Sequence, residues 1–374
     1  MVTLNPNEGG QFGGTAAEGV PGRPASWSGP LREVDRVESA DPLPLLAFLD
    51  AHAPDVAADR VGIGLLVGAR GCADLGRVPA GRASPTSVPE CVAVAFERGG
   101  STQTWGAAEV GPWTVSWTDD EHMAAVEQVR AAIARGDVYQ ANVVGHRSAP
   151  FRGDPLGLAA ALPFGRYAGS LAGEGWLVAT ASPEQLVRVV GDRIETTPIK
   201  GTAHDRDALR RSLKDRAEHV MIVDLERNDL ARVTVDGTVV VEDLYALSAW
   251  AGLWHAHSVV SGRLRPGTTT VEVLRALLPG GSVTGAPKRA ACALLADLEP
   301  VGRGPAMAAL GFVWSGGLDL ALTIRTIAAA DGLVHLWAGG GITWGSDARQ
   351  EVAEAHAKAA PVQAALAHVR PSSS

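Results

Sequence analysis

Apolar positions along the chain fall mostly into short segments that alternate with polar residues, and less often into longer segments at helical spacing. Period-two alternation, or a short apolar segment bounded by turn residues, indicates a β-strand, whereas apolar residues every three or four positions indicate a helix. Strands are predicted at residues 61–67, 91–96, 113–117, 138–144, 176–180, 186–190, 193–197, 308–314, 318–329 and 334–337. Helices are predicted at 45–51, 120–136, 206–225, 269–277, 287–297 and 347–368. Because the two types follow one another without a regular βαβ order, the pattern predicts an α+β fold.

Two local patterns refine this outline. The Gly-Asp pair at Gly191 and Asp192 separates two predicted strands and is typical of a tight hairpin turn. Residues 1–30 are rich in Gly, Pro, Ala and Ser, which predicts a flexible leader. The pattern changes at Asp119, so the chain is divided into this leader, an N-terminal part at 31–118 and a C-terminal region at 119–370.

Composition and charge narrow the class of partner. The 374 residues are 46% hydrophobic and 20% charged, which is typical of a globular protein. The net charge of −8 disfavours nucleic acid or an anionic membrane as partner, because both require concentrated positive charge. No segment approaches the roughly 20 apolar residues of a membrane span. Three separated cysteines give neither zinc spacing nor a disulfide framework, so a reduced cytoplasmic location is expected.

Two features could bind an anion. A glycine-rich segment at 279–287 precedes a predicted helix that begins near Pro287, and free backbone N–H groups at a helix N-terminus favour negative charge. The alternative is a turn whose glycines only supply positive φ. Arg325 lies within an apolar predicted strand, where its guanidinium could hold a carboxylate or form a structural salt bridge.

A set of acidic residues could bind a hard metal ion. Glu351, Glu354 and Lys358 share one helix face, and Glu218 lies in an apolar helical segment. Carboxylate oxygens completed by water suit Mg²⁺. The spacing alone is equally typical of a solvated charged face, which is the commoner explanation.

An ordered series of motifs gives these residues a context. The series is GDVYQANV (136–143), ASPEQLVRV (181–189), TPIKGT (197–202), KDRAEHVMIVDLERNDLARV (214–233), LWHAHSVVSG (253–262), LLPGGSVTGAPK (277–288), LTIRT (322–326), AGGGITWGSD (338–347) and EVAEAHAKA (351–359). From about residue 121 to 367 the chain resembles the chorismate-utilising enzymes, a family that includes anthranilate, aminodeoxychorismate, isochorismate and salicylate synthases. The resemblance implies one large domain, a two-sheet β-sandwich flanked by helices.

The resemblance also implies a ligand set. It implies that Glu218 and Glu354 bind Mg²⁺ directly and that Glu351 binds it through water. It also implies that the metal binds a carboxylate of the substrate. The residues that resemble the substrate-binding positions of the family are Gly201, Gly285, Arg325, Gly340 and Lys358. The implied substrate is chorismate.

Two positions bear on the reaction. Members that use water have a lysine base where this chain has Gln140, so Gln140 disfavours isochorismate or salicylate formation. Lys200 resembles the nucleophile of members that form 4-amino-4-deoxychorismate for p-aminobenzoate and folate synthesis. In that mechanism the lysine attacks carbon 2, the carbon-4 hydroxyl departs, and ammonia enters at carbon 4. The alternative is a structural pair between Lys200 and Glu195.

Two further residues resemble those that assist departure of the hydroxyl, namely Thr202 and His255. Without the family, a core histidine with a satisfied ring is the better interpretation of His255. Cys72 poorly matches the nucleophile elbow of a glutaminase, so ammonia is expected from a separate glutamine amidotransferase subunit. Anthranilate formation and non-catalytic chorismate binding stay open as alternative hypotheses.

Overall fold

Two antiparallel β-sheets form the frame of the protein. A computed structural model describes residues 2–4, 31–52, 60–98, 104–163, 165–250, 253–367 and 369. The strands are β1 (Val2–Leu4), β2 (Leu31–Ser39), β3 (Arg60–Val67), β4 (Cys91–Arg98), β5 (Ala108–Val110), β6 (Thr114–Val115), β7 (Gln140–Gly153), β8 (Tyr167–Gly173), β9 (Trp176–Ser182), β10 (Gln185–Val190), β11 (Arg193–Thr197), β12 (Ile199–Ala203), β13 (Val240–Trp250), β14 (Leu253–Arg263), β15 (Gly285–Ala286), β16 (Ala309–Trp314), β17 (Gly317–Leu322), β18 (Thr326–Ala330) and β19 (Leu333–Ile342). The helices are α1 (Pro42–His52), α2 (Ala69–Gly76), α3 (Asp119–Arg135), α4 (Pro155–Ala161), α5 (Arg206–Arg211), α6 (Leu213–Ala231), α7 (Thr270–Leu277), α8 (Lys288–Leu298) and α9 (Ala348–Leu366).

The order of strands differs from their order in the chain. The first sheet runs β1-β8-β9-β18-β19-β7-β15, with β5 and β6 also paired to β7. The second runs β12-β14-β11-β10-β17-β16-β3-β4-β2, with β13 on the other edge of β14. Strands from the N-terminal part and from the C-terminal region share the second sheet, so these two parts fold as one unit.

Alternation along the strands creates the core between the sheets. In β9, Trp176 and Val178 point into the main core, whereas Leu177 and Ala179 join a second cluster. The main core also takes Phe312 and its neighbours from the second sheet. Period-two patterning therefore buries both faces of the first sheet, as expected for a sheet covered on each side.

Helices cover the outer face of the first sheet. α4 and α9 contribute Leu158, Val362 and Leu366 to the second cluster. α3 and α8 pack through Val129 and Leu295 near the start of β7. The predicted α+β, two-sheet fold flanked by helices is confirmed.

Several predicted boundaries need correction. The helix predicted at 206–225 is two helices, because Ser212 caps α6 by accepting the Asp215 N–H. The strand predicted at 318–329 is interrupted around Arg325, whose φ is 50°. Among the strands that the pattern missed are β2, β8, β13 and β14.

The N-terminal leader needs correction in part. Val2–Leu4 pairs with Gly169–Leu171 of β8, so these residues belong to the first sheet rather than to a flexible segment. Residues 5–30 of the predicted leader lie outside the described residues. Within the described part of the chain, no helix combines the length and the apolar character needed to cross a lipid bilayer.

Candidate active site

Lys200 lies where β12 bulges against β14. Ile199 pairs with His257 and Thr202 with His255, so two residues of β12 face one of β14. The side chain is half-buried, and its Nζ donates to the Ser282 carbonyl oxygen at 3.1 Å. A bulge next to a site commonly redirects a side chain, and here it accompanies a lysine directed toward the interior.

Burial and nearby carboxylates act in opposite directions on the pKa of this lysine. Burial lowers the pKa of Lys200, while the carboxylates of Glu218 and Glu184 act in the opposite direction. The predicted alternative pair with Glu195 is not formed, because Glu195 lies 3.0 Å from Arg193 and also contacts Arg188. A lysine that deprotonates more easily is a better nucleophile.

The side chain of Gln140 lies near the Lys200 amine, beside Gly341. The residue is 1% exposed, and neither its amide nitrogen nor its amide oxygen has a hydrogen-bond partner in the described part of the chain. A Cβ placed on Gly341 would collide with Gln140 Nε2 and lie 3.6 Å from Lys200 Nζ. Gly285 adjoins this point, since it pairs with Ala141. Buried amides are normally satisfied, so an unpartnered amide beside a lysine indicates a ligand site.

Gly340 lies at the centre of the second predicted cluster. A Cβ on Gly340 would lie 3.2 Å from Glu351 Oε2, 3.6 Å from Lys358 Nζ and 3.7 Å from Glu354 Oε1. Lys358 contacts Glu354 at 2.6 Å and donates to the Gly339 carbonyl at 2.9 Å. The consecutive glycines of β19 therefore border the Lys200 side and the α9 side of one site.

The predicted metal ligands are brought together only in part. Glu351 and Glu354 share the Gly340 surface, and Glu218 acts electrostatically on Lys200. No group of three His, Cys, Asp or Glu side chains among the described residues is close enough to hold a metal ion. Mg²⁺ commonly binds one or two carboxylates and completes its shell with water and substrate oxygens. The Glu351–Glu354 pair fits that chemistry.

The predicted pair of Thr202 and His255 is close. Thr202 Oγ1 lies 3.0 Å from His255 Nδ1, and the two residues are opposite one another on β12 and β14. His255 is 1% exposed. The bulge that carries Lys200 immediately precedes this hydroxyl–imidazole pair.

Arg325 lies between β17 and β18. Its carbonyl accepts the Ala181 N–H, but its guanidinium forms no hydrogen bond or ion pair with another described residue. Burial lowers its pKa. The structure shows no direct contact between this guanidinium and the other predicted site residues within the described chain. A half-buried guanidinium without an ion-pair partner among the described residues can bind an anionic group such as a carboxylate.

Two residues near Lys200 were not predicted from the sequence, namely Glu184 and His219. Glu184 is buried, accepts from Ser282 Oγ at 2.6 Å, and has its pKa raised to about 7 by burial, against the opposing effects of Ser282 and Lys200. His219 contacts the Lys200 carbonyl at 2.8 Å. The available signal was an acid or a histidine inside otherwise apolar segments, which indicates a buried polar group in need of partners.

Comparison with known proteins places the chain in a family. A family model for chorismate binding enzymes matches residues 92–364. Anthranilate synthase component 1 of Streptomyces coelicolor is 41% identical over 259 residues, which cover 65% of this chain and 50% of that protein. Aminodeoxychorismate synthase component 1 is 35% identical over 259 residues in Salmonella typhimurium, covering 65% of this chain and 56% of that protein. Aminodeoxychorismate synthase component 1 of Bacillus subtilis is 35% identical over 273 residues, which cover 68% of this chain and 57% of that protein. The chain thus spans about half the length of these curated relatives.

Solved structures share the fold. Anthranilate synthase component I from Streptococcus pneumoniae has a TM-score of 0.76 at 22% identity and covers 94% of each chain. The menaquinone-specific isochorismate synthase from Escherichia coli has a TM-score of 0.71 at 19% identity, covering 89% of this chain and 84% of that one. At these identities the likeness concerns the architecture.

Proposed function

Because the chain belongs to the chorismate binding enzyme family, we propose that it aminates chorismate at carbon 4 and forms 4-amino-4-deoxychorismate. The observation that carries this proposal is the position of Lys200. Its amine is half-buried and hydrogen-bonded to a carbonyl, and both this amine and the unpartnered amide of Gln140 lie within 4 Å of the position of a Cβ on Gly341.

The proposed reaction has two displacements. The neutral amine of Lys200 bonds to carbon 2, both conjugated ring double bonds shift toward carbon 4, and the carbon-4 hydroxyl leaves as water with a proton from the lysine amine. Ammonia then bonds to carbon 4, both double bonds shift back, and the carbon–lysine bond breaks as the lysine nitrogen takes up a proton given up by the ammonia. Covalent catalysis divides one difficult step into two easier ones. Glu184, with a pKa near 7 and a hydrogen bond to Ser282, is placed to exchange the proton of the lysine.

Other residues hold the substrate and assist the leaving group. Arg325, Lys358 and the backbone at Gly340 provide contacts for the two carboxylates of chorismate. The Thr202–His255 pair is assigned to the departing hydroxyl. Glu351 and Glu354, assisted by Glu218, would hold Mg²⁺, which when bound neutralises a substrate carboxylate.

A second component is part of the proposal. The relatives from Salmonella typhimurium and Bacillus subtilis are each named component 1. We infer that a separate glutamine amidotransferase supplies ammonia and that the product serves p-aminobenzoate and folate synthesis. The second candidate function is anthranilate formation, favoured by the 41% identity to the Streptomyces coelicolor protein. Lys200 is the residue that favours amination at carbon 4.

Product analysis tests the proposal. The purified chain is incubated with chorismate and Mg²⁺, with either ammonium chloride or glutamine as the nitrogen source, and products are separated by chromatography and identified by mass. We expect 4-amino-4-deoxychorismate with ammonium and none with glutamine. Anthranilate as the main product would support the second candidate, and binding of chorismate without turnover would support the non-catalytic hypothesis.

A further inference from the structure

The β12 bulge that presents Lys200 is matched by an irregularity on the other side of β14. The β13–β14 register shifts between Asp243 and Ala246, and Tyr245 has a φ of 58°. The Tyr245 N–H lies at this interruption of the β13–β14 backbone hydrogen bonds and donates instead to Ser258 Oγ at 3.1 Å. The strand beside Lys200 is therefore irregular along both edges, and such irregular backbone groups need other hydrogen-bond partners.

His219 supplies a partner at this point. Its side chain is fully buried, and Nε2 lies 2.8 Å from the Lys200 carbonyl oxygen and 3.1 Å from the Ala256 carbonyl oxygen. These two carbonyls belong to the facing strands of the bulge. The Lys200 backbone nitrogen lies 3.2 Å from the same ring atom. The imidazole is therefore wedged against the peptide groups on both sides of Lys200.

The contacts of the ring define which nitrogen carries the proton. The two carbonyl oxygens can only accept, so Nε2 carries the proton in the tautomer that satisfies both of them, and in that tautomer the Lys200 N–H does not donate to Nε2. Nδ1 lies 2.9 Å from Ser258 Oγ, whose oxygen already accepts the Tyr245 N–H and whose hydroxyl proton is free to donate. A directed chain of hydrogen bonds thus runs from β13 through Ser258 and His219 to the carbonyl of Lys200. The partner of Nδ1 sets the tautomer.

The same histidine connects α6 to the site. Gly201, next to Lys200, has a φ of 87°, and a Cβ there would lie 2.9 Å from Asp215 Cγ and 2.8 Å from Leu209 Cδ1. α6 therefore approaches the bulge closely, and His219 is its buried contact with β12 and β14. Glu218, the adjacent residue, contributes to the electrostatic surroundings of Lys200.

We propose that His219 is a positioning residue, which holds the β12 bulge through the Lys200 and Ala256 carbonyls and so directs the Lys200 amine toward the substrate. The inference rests on the proposed function for the identity of the reaction, but the geometry it asserts can be measured separately. A displacement of about 1 Å at a reacting group can lower a rate by about 100-fold.

Two substitutions at His219 separate hydrogen bonding from packing. His219→Gln retains an amide N–H at about the position of Nε2, and His219→Leu removes the donor. Steady-state kinetics with ammonium chloride should show kcat about 100-fold lower for His219→Leu, with the chorismate KM changed about threefold or less. His219→Gln should recover most of this loss. His335→Leu, at a buried histidine in another cluster, is the control and should change thermal stability with little change in kcat.

Lysine labelling gives a readout that does not need turnover. The chain has only four lysines, Lys200, Lys214, Lys288 and Lys358. Reductive methylation followed by peptide mass spectrometry measures each one, with Lys214 as internal reference. Chorismate should slow the labelling of Lys200 in the wild-type chain and in His219→Gln. This protection should be lost in His219→Leu.

The outcomes separate the two proposals. Wild-type kcat and full protection of Lys200 in His219→Leu would overturn the positioning role and leave the proposed function intact. Absence of 4-amino-4-deoxychorismate from wild-type reactions would instead contradict the proposed function, and protection would still decide the role of His219. If His219→Leu does not fold, His219→Asn replaces it, because its shorter amide cannot reach both carbonyls. The inference is supported if chorismate protects Lys200 from labelling in His219→Gln but not in His219→Asn. Equal protection of Lys200 in the two variants overturns it.

Discussion

The Nζ atom of Lys200 donates to the carbonyl oxygen of Ser282 at 3.1 Å, so the lysine is anchored by a neutral acceptor rather than by a carboxylate. The same Ser282 donates its hydroxyl to Glu184 at 2.6 Å. Burial lowers the pKa of the lysine and raises the pKa of Glu184 to about 7. Opposite shifts of a half-buried amine and a buried carboxyl bring their pKa values closer together, which favours proton exchange between them.

Substitution of Lys200 tests the nucleophile. Lys200→Arg keeps the positive charge but stays protonated, so product formation from ammonium should fall by about 100-fold or more. Lys200→Ala should likewise lose the carbon-2 adduct while chorismate still binds, and some anthranilate could form at the vacated space. Product chromatography and a chorismate titration measure both effects, with Lys214→Arg as the control. Near-native product from Lys200→Arg would remove the covalent role.

Substitution of Gly341 tests the shared surface between Gln140 and Lys200. A methyl group there would collide with the Gln140 amide and approach Lys200 Nζ. Overpacking typically costs about 1–3 kcal/mol, so the chorismate KM should rise about tenfold or more in Gly341→Ala. Gly345→Ala is a matched control, because no atom lies within 4 Å of a Cβ at that exposed glycine. Equal kinetics for the two variants would place the substrate elsewhere.

Removal of a carboxylate charge tests the proposed Mg²⁺ ligands. Glu354→Gln and Glu351→Gln should each weaken activation by Mg²⁺ by about tenfold or more, as for other metal-site substitutions. Glu351→Gln should also lower thermal stability, because buried Glu351 accepts from Ser346 at 2.6 Å. Magnesium titrations of activity provide the measurement, and the surface variant Glu127→Gln is the control. Unchanged titrations would exclude this carboxylate pair as ligands.

Local patterning predicted much of the frame. The hairpin turn between β10 and β11 and the paired strands of residues 185–190 and 193–197 follow from period-two alternation and a Gly-Asp turn. Strands β13 and β14 were missed, because bulges and polar residues such as His255 and Ser258 obscure their alternation. Their assignment depends on tertiary pairing, which a local pattern does not contain.

The site was predicted unevenly for a related reason. Lys200, Gln140 and the glycines of β19 were identified by motif, and the structure brings them together. Glu184 and His219 were not selected, since their importance comes from partners distant in sequence, Ser282 and the carbonyl of Ala256. A polar residue in an apolar segment predicts that its side chain has a hydrogen-bond partner. The sequence does not identify that partner, because it is brought close only by the fold.

A buried histidine pair sets an acid limit on stability. His146 Nε2 and His335 Nδ1 lie 3.0 Å apart across β7 and β19, stacked near Trp337. Burial lowers the pKa of His146 to about 3 and also lowers that of His335. In the unfolded chain both rings take up a proton near pH 6.5. Because the unfolded state then binds more protons, their contribution to stability is complete above pH 6.5 and is lost as the pH falls toward the folded-state values.

Replacing both rings should flatten this acid dependence. In His146→Gln/His335→Gln, loss of ring packing should lower the free energy of unfolding at pH 7.5 by about 1 kcal/mol or more. Between pH 6.5 and 4.5 that free energy should then fall less steeply than in the wild type, since each histidine contributes up to about 1.4 kcal/mol per pH unit. Urea unfolding at a series of pH values measures both slopes. Trp337→Phe, which removes packing but no titratable group, should shift the curve without changing its slope. Parallel curves for the wild type and the double variant would show that the histidine pair does not control acid stability.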